Sequence, residues 1–164
     1  MEQQYDSVNR QAMHDFLRNL PEGEEFRLRV TGNSMLPLLF NRKSQVCLVK
    51  VQSYVPKKGD VVLFFRLDGA FVLHRVHKIK KDGVIIINGD AQRWREAIHP
   101  AQVYARVVRY TRFAHRGGPE KSVDRLGYRF YTAVWSRLRL IHPIGARLVH
   151  IWHRIPEKLF GKKP

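Results

Sequence analysis

The chain has 164 residues, 44% hydrophobic and 11% aromatic, which is apolar material for one compact core and too little for two ordinary domains. Thirty Lys and Arg against fourteen Asp and Glu give a formal charge of +16, which favours polyanionic partners, whether nucleic acid or an anionic membrane surface. The lone cysteine, Cys47, excludes a disulfide framework and a thiol-rich metal site, and the longest uncharged stretch, Val30 to Asn41, is broken by Gly32 and Pro37, short of the roughly 18 to 20 apolar residues of a spanning helix.

At the N-terminus, Met1-Glu2-Gln3-Gln4-Tyr5-Asp6 is no basic-then-apolar leader, so the expected location is the cytoplasm, with peripheral contact at the inner membrane surface as an added expectation from the charge. Residues 7–20 place Val8, Ala12, Phe16 and Leu20 at four-residue intervals. That predicts a short docking or lid helix within an N-terminal segment 1–23, stopped by Pro21-Glu22-Gly23. From Glu24 the apolar period drops to two and β-branched residues accumulate, predicting strands near 24–31, 45–51, 60–66, 70–80, 83–88 and 102–112. Lys57-Lys58-Gly59-Asp60, Asp68-Gly69 and Asp82-Gly83 are turn sequences, and the last two suit tight hairpins. Residues 24–114 are therefore read as a mainly β domain of consecutive antiparallel strands.

His115-Arg116-Gly117-Gly118-Pro119 is a hinge by composition, and the segment beyond it, 119–164, is of another kind. Residues 1–108 carry 17 basic and 11 acidic side chains, whereas residues 109–164 carry 13 and 3. Val123, Leu126, Phe130, Val134, Leu138 and Ile141 fall three or four apart, with Arg125, Arg129, Arg137 and Arg139 among them, and the pattern resumes at Ile144, Leu148, Ile151, Trp152 and Ile155. Two basic amphipathic helices are expected. Trp135, Arg137, Arg139 and Trp152 are candidates for contact with an anionic membrane, since indole rings suit the headgroup boundary and arginines suit anionic lipid. The competing expectation is packing on the β domain or on a twin. Nucleic acid ranks below membrane, because the charge sits on apolar helices and not on an aromatic-bearing sheet. His142, His150 and His153 have no Cys or acid at ligand spacing and no Walker or dinucleotide glycine pattern occurs, so neither metal nor cofactor is expected.

Three segments carry chemistry: Thr31-Gly32-Asn33-Ser34-Met35-Leu36-Pro37, Val72-Leu73-His74-Arg75-Val76 and Ile87-Asn88-Gly89-Asp90. Ser34 follows a glycine turn, where backbone N–H groups can converge on an oxyanion. His74 lies mid-strand with Val72 and Val76 on its own face, and a neutral imidazole of ordinary pKa, about 6.5, is a workable base at pH 7. Asp90 or a neighbouring carboxylate can fix the tautomer of that ring and stabilise it when charged. Singly these are ordinary residues: a serine after glycine is most often a turn residue, and seven other histidines are present. Their order and spacing raise them above that background.

Gly32-Asn33-Ser34-Met35-x-Pro37, Lys58-Gly59-Asp60-Val61-Val62-x-Phe64, His74-Arg75-Val76 and Gly89-Asp90, spread over roughly residues 24–112, resemble the type I signal peptidases and the related LexA-like peptidases. The resemblance implies a coiled antiparallel β domain and a serine endopeptidase that cleaves an extended polypeptide between small side chains. It makes Ser34 the nucleophile. Bacterial signal peptidases and LexA-like proteins place Lys just before the later Arg-Val pair. His74 stands there, as in the archaeal and endoplasmic-reticulum type, where Ser, His and an acid act together. In that type the acid lies a few residues beyond Gly-Asp, and Glu96 stands six residues after Asp90, so Asp90 and Glu96 are both candidates for the third member. Gly32 replaces the serine that bacterial signal peptidases often use for the oxyanion, leaving the backbone N–H groups of Asn33 and Ser34. Asp60 is read as structural. Only 33 residues precede Ser34, without an anchor or room for a DNA-binding domain, so neither preprotein processing nor a self-cleaving repressor is expected. The alternative of another class is a non-catalytic peptide-binding or membrane-recruitment module that retains the fold.

Overall fold

A computed structural model describes residues 2–52 and 54–137. Helix α1 (Glu2–Asn19) precedes eight strands, β1 (Glu25–Arg29), β2 (Gln45–Lys50), β3 (Val61–Phe65), β4 (Phe71–Ile79), β5 (Ile85–Asn88), β6 (Glu96–Ile98), β7 (Val103–Thr111) and β8 (Lys121–Ser122), and helix α2 (Leu126–Arg137) follows. The strands form one antiparallel sheet in the order β1-β2-β7-β3-β4-β5-β6, with β8 added to β7. The mainly β, antiparallel architecture expected from the sequence is the one observed.

Successive side chains of a strand point to opposite faces, and this sheet has a core on each. Val61 and Leu63 of β3 join Val46, Leu48, Ala105 and Val107 on one side, together with Leu17 of α1 and Met35 and Leu39 of the loop after β1. Val62 and Phe64 join Val76, Ile85, Ile87 and Ile98 on the other. Covered on both faces, β3 cannot alternate apolar with polar, which is why Val61-Val62-Leu63-Phe64 reads as a continuous apolar run. Register shifts between Cys47 and Leu48, Leu63 and Phe64, and Val76 and Lys78 interrupt the ladders. Bulges of this kind add local twist, so the sheet coils.

Two hairpins fix β4, which carries His74. In each, an Asp-Gly pair closes a three-residue loop: Gly69 and Gly83 adopt left-handed φ values of 85° and 81°, and Asp68 and Asp82 accept hydrogen bonds from the N–H groups of Ala70 and Val84. Only glycine takes that φ without strain. The loops set His74 across from Val62 on β3 and Arg75 across from Asn88 on β5.

Some expectations need correction. Helix α1 begins before residue 7, and its buried side is Met13, Leu17 and Leu20 rather than the stripe through Ala12 and Phe16. Leu17 is fully buried, Ala12 is exposed, and Phe16 lies at the rim with its ring edge-on to Phe26. Strands β6 and β8, three and two residues long, are too short for a period of two to register in the sequence. In α2 the apolar positions Leu126 and Phe130 face solvent, while Tyr128, Tyr131 and Thr132 face the sheet. Arg139, Trp152, the three tail histidines and the second basic helix lie outside the described residues, as do the side chains of Trp135 and Arg137. Among the described residues no helix is long and apolar enough to cross a membrane.

Candidate active site

The chain leaves β1 through Gly32, whose φ of 81° turns it sharply and whose N–H donates to Asn41 Oδ1 at 3.0 Å. Met35, Leu36, Leu38, Leu39 and Phe40 are then all buried. Ser34 is the last polar residue before this anchored apolar run, and it stays partly exposed. Packing thus fixes the backbone of Ser34 from its C-terminal side, and Ala91 fixes it from across the site by donating its N–H to the Ser34 carbonyl at 2.8 Å.

Gly89 makes that approach possible. A Cβ on Gly89 would stand 2.6 Å from the Ser34 carbonyl oxygen and 2.9 Å from Ser34 Cβ, inside van der Waals contact. The β4–β5 ladder pairs Val76 with Ile87 and ends with Arg75 paired to Asn88, the neighbours in chain of His74 and Gly89. Ser34 therefore packs on the residue just beyond the end of that ladder. Gly89→Ala is expected to displace the Ser34 loop and to lower the rate of any reaction at Ser34 by about 10²-fold, since a shift near 1 Å at a reacting group costs about that much. Stopped-flow acylation of both proteins by a serine-directed reagent measures it.

His74 and Arg75 point to opposite faces of β4, and each meets a different carboxylate. The imidazole is only 2% exposed, with the Phe64 ring at 6.0 Å. Its Nδ1 lies 3.4 Å from Glu96 Oε1, a close approach whose angle does not make a hydrogen bond, so Nδ1 is buried without a partner. Burial lowers the His74 pKa to about 4; the Glu96 carboxylate opposes the shift, Arg66 adds to it and Asp90 opposes it. The ring is neutral at pH 7. Among the described residues it makes no hydrogen bond with Ser34 Oγ.

Glu96 is held from its other side by Arg66, which donates Nε to Oε2 and a terminal nitrogen to Oε1. Arg66 extends the face of Val62 and Phe64 by one more period of two. That inward arginine was the signal in the sequence that this face holds a carboxylate. Asp90 belongs to the opposite face. Arg75 donates Nε and a terminal nitrogen to its two oxygens, both at 2.7 Å, and both residues are buried. The remaining arginine nitrogen donates to the Gly59 carbonyl and to the Tyr128 hydroxyl, each at 2.9 Å, and the Tyr131 hydroxyl donates to Asp90 at 3.4 Å. Of the two acids the sequence offers, Glu96 touches the histidine and Asp90 is committed to an arginine. Asp60 caps its own turn, accepting the Lys57 N–H and the Tyr54 hydroxyl.

A family model described as Peptidase S24-like matches residues 2–108, about two thirds of the chain. The chain belongs to the Peptidase S24-like family. No curated protein and no solved structure matches it. The S24-like match spans Ser34, His74, Asp90 and Glu96 and ends before α2, so the tyrosines that meet Arg75 and Asp90 lie outside the part of the chain that defines the family. The mainly β, antiparallel fold of the matched residues is consistent with the S24-like fold of that family.

Proposed function

We propose that this S24-like chain is a serine endopeptidase in which Ser34 is the nucleophile, His74 the base and Glu96 the acid that orients His74. The observation that supports the reading is the seat of Ser34 on Gly89, the residue after the β5 end that pairs with Arg75, next in chain to a histidine whose Nδ1 lies 3.4 Å from a carboxylate. With Nδ1 directed at Glu96, Nε2 is the nitrogen left for Ser34. Ser34 Oγ attacks the scissile carbonyl carbon and passes its proton to Nε2. The negative charge on the carbonyl oxygen is met by the N–H groups of Asn33 and Ser34, and imidazolium charge builds beside Glu96. Collapse breaks the C–N bond as Nε2 returns the proton to the leaving amine. Water then adds to the acyl carbon as the same nitrogen takes its proton, and the C–Oγ bond breaks as that proton returns to Ser34 Oγ, freeing the new carboxyl end.

An extended polypeptide suits the site. Among the described residues β1 has a strand partner on one side only, and it leads into the Ser34 turn, so a peptide adding to that edge would pass the hydroxyl. Incubation with a β-lactam or lipopeptide acylating inhibitor, followed by mass spectrometry, tests the proposal: one adduct on Ser34 is expected, absent from Ser34→Ala. No adduct would favour the non-catalytic peptide-binding module.

The lowered pKa of His74 also fixes a pH dependence. The base acts in its neutral form, so the acid limb of the acylation rate is expected near pH 4 and not near 6.5, with the rate falling tenfold per unit below it. Folding stability is linked with a definite sign. Between the unfolded value, about 6.5, and the folded value of about 4, the unfolded chain binds the proton that the folded chain refuses. Stability is therefore full above pH 6.5 and falls by about 3 kcal/mol as pH drops to 4, which urea titrations of the wild type and a His74→Gln variant resolve.

A further inference from the structure

Helix α2 has two unlike faces. Tyr128, Tyr131 and Thr132 turn inward: the tyrosines meet the buried Arg75–Asp90 pair, and the Thr132 methyl lies 3.0 Å from where a Cβ on Gly59 would stand. On the opposite side of the helix Leu126 is 81% exposed and Phe130 72% exposed, one turn apart, with exposed Ala133 completing the stripe and exposed Arg125 and Arg129 along its flank. An apolar stripe beside arginines, left outside by a helix already docked through its other face, fits a boundary between water and lipid.

The occupant follows from charge. Residues 138–164 carry six basic side chains and one acidic one, which adds to the positive charge that an anionic partner would meet. A second copy seated face to face would bring Arg125 and Arg129 against their own equivalents. Nucleic acid would satisfy the arginines but give Leu126 and Phe130 nothing. We propose that this outer face docks on an anionic bilayer, with Leu126 and Phe130 entering the headgroup boundary and Arg125 and Arg129 pairing with lipid phosphates. Tyr128 and Tyr131 anchor α2 to the buried Arg75–Asp90 pair, so the helix docks on lipid as a fixed part of the domain. The proposal stands on exposure and charge, independently of the peptidase reading.

Co-sedimentation of the full chain with phosphatidylcholine vesicles, with and without phosphatidylglycerol, tests it. Binding is expected only with phosphatidylglycerol and should weaken as salt is raised. The double variant Leu126→Glu, Phe130→Glu is expected to bind about tenfold or more weakly, with an unchanged melting temperature because both side chains are already in water. Absence of binding to the phosphatidylglycerol vesicles would overturn the proposal, as would equal binding by the double variant. Two further results would also overturn it: self-association that the double variant abolishes while neither protein binds vesicles, and binding of unstructured RNA as tight as vesicle binding and unaffected by the double substitution.

Discussion

Replacing His74 by alanine is expected to slow acylation of Ser34 by about 10³-fold or more, the loss typical when a triad is deprived of its base. A serine hydroxyl is a weak nucleophile until its proton is taken, and His74 is the residue proposed to take it. Alanine also removes a buried ring packed near Phe64, so part of any loss could come from a collapsed core. His74→Gln separates the two causes: it fills similar space, keeps polar atoms toward Glu96 and has no basic nitrogen. Both variants should lose the same large factor while glutamine retains most of the stability. A wild-type rate in either variant would remove His74 as the base.

The second large effect distinguishes the two acids. Asp90→Asn leaves the buried Arg75 guanidinium without its counter-charge, and breaking a buried pair from one side costs about 3–5 kcal/mol. Set against a total stability of about 5–15 kcal/mol for an ordinary domain, that is a large fraction, and urea denaturation should show it plainly. Glu96→Gln has a different signature. Its partner Arg66 keeps 32% of its side chain in water and can be rehydrated, so stability should change by about 1 kcal/mol or less. The acylation rate should nevertheless fall by about 10²-fold or more, because the ring loses the carboxylate that orients it and balances its charge. A catalytic loss confined to Asp90→Asn, with Glu96→Gln unaffected, would exchange the two roles.

The pattern of β-branched residues and Asp-Gly turns made the strands from β1 to β5 and β7 legible, β3 and β5 as short unbroken apolar runs between turn sequences. The candidate site was legible in outline for a related reason: Gly32, Gly89 and the His74-Arg75 pair are residues whose conformation or alternation dictates where neighbours go. Choosing between Asp90 and Glu96 needed three dimensions, because the choice depends on which face of β4 each carboxylate reaches, and Glu96 reaches its face from a three-residue strand that no periodicity reveals. Helix α2 turns one face inward for a chemical reason. Its strongest apolar positions, Leu126 and Phe130, suggest the face that packs, yet the sheet beneath presents a buried arginine and aspartate whose spare hydrogen-bonding capacity calls for tyrosine hydroxyls. Hydroxyl chemistry, not hydrophobicity, decided which side of the helix turned inward. In α1 a spacing of four fitted two adjacent stripes, and only contact with the core selects the one through Leu17.

The most direct test of the account is the distance between Ser34 Oγ and His74 Nε2 in a crystal structure of the inhibitor-acylated protein. A separation of about 3 Å, or one bridging water poised over the ester, with Glu96 on Nδ1, is the predicted result. An adduct on Ser34 with the imidazole still sealed beneath Phe64, out of reach of both the ester and any bridging water, would contradict it.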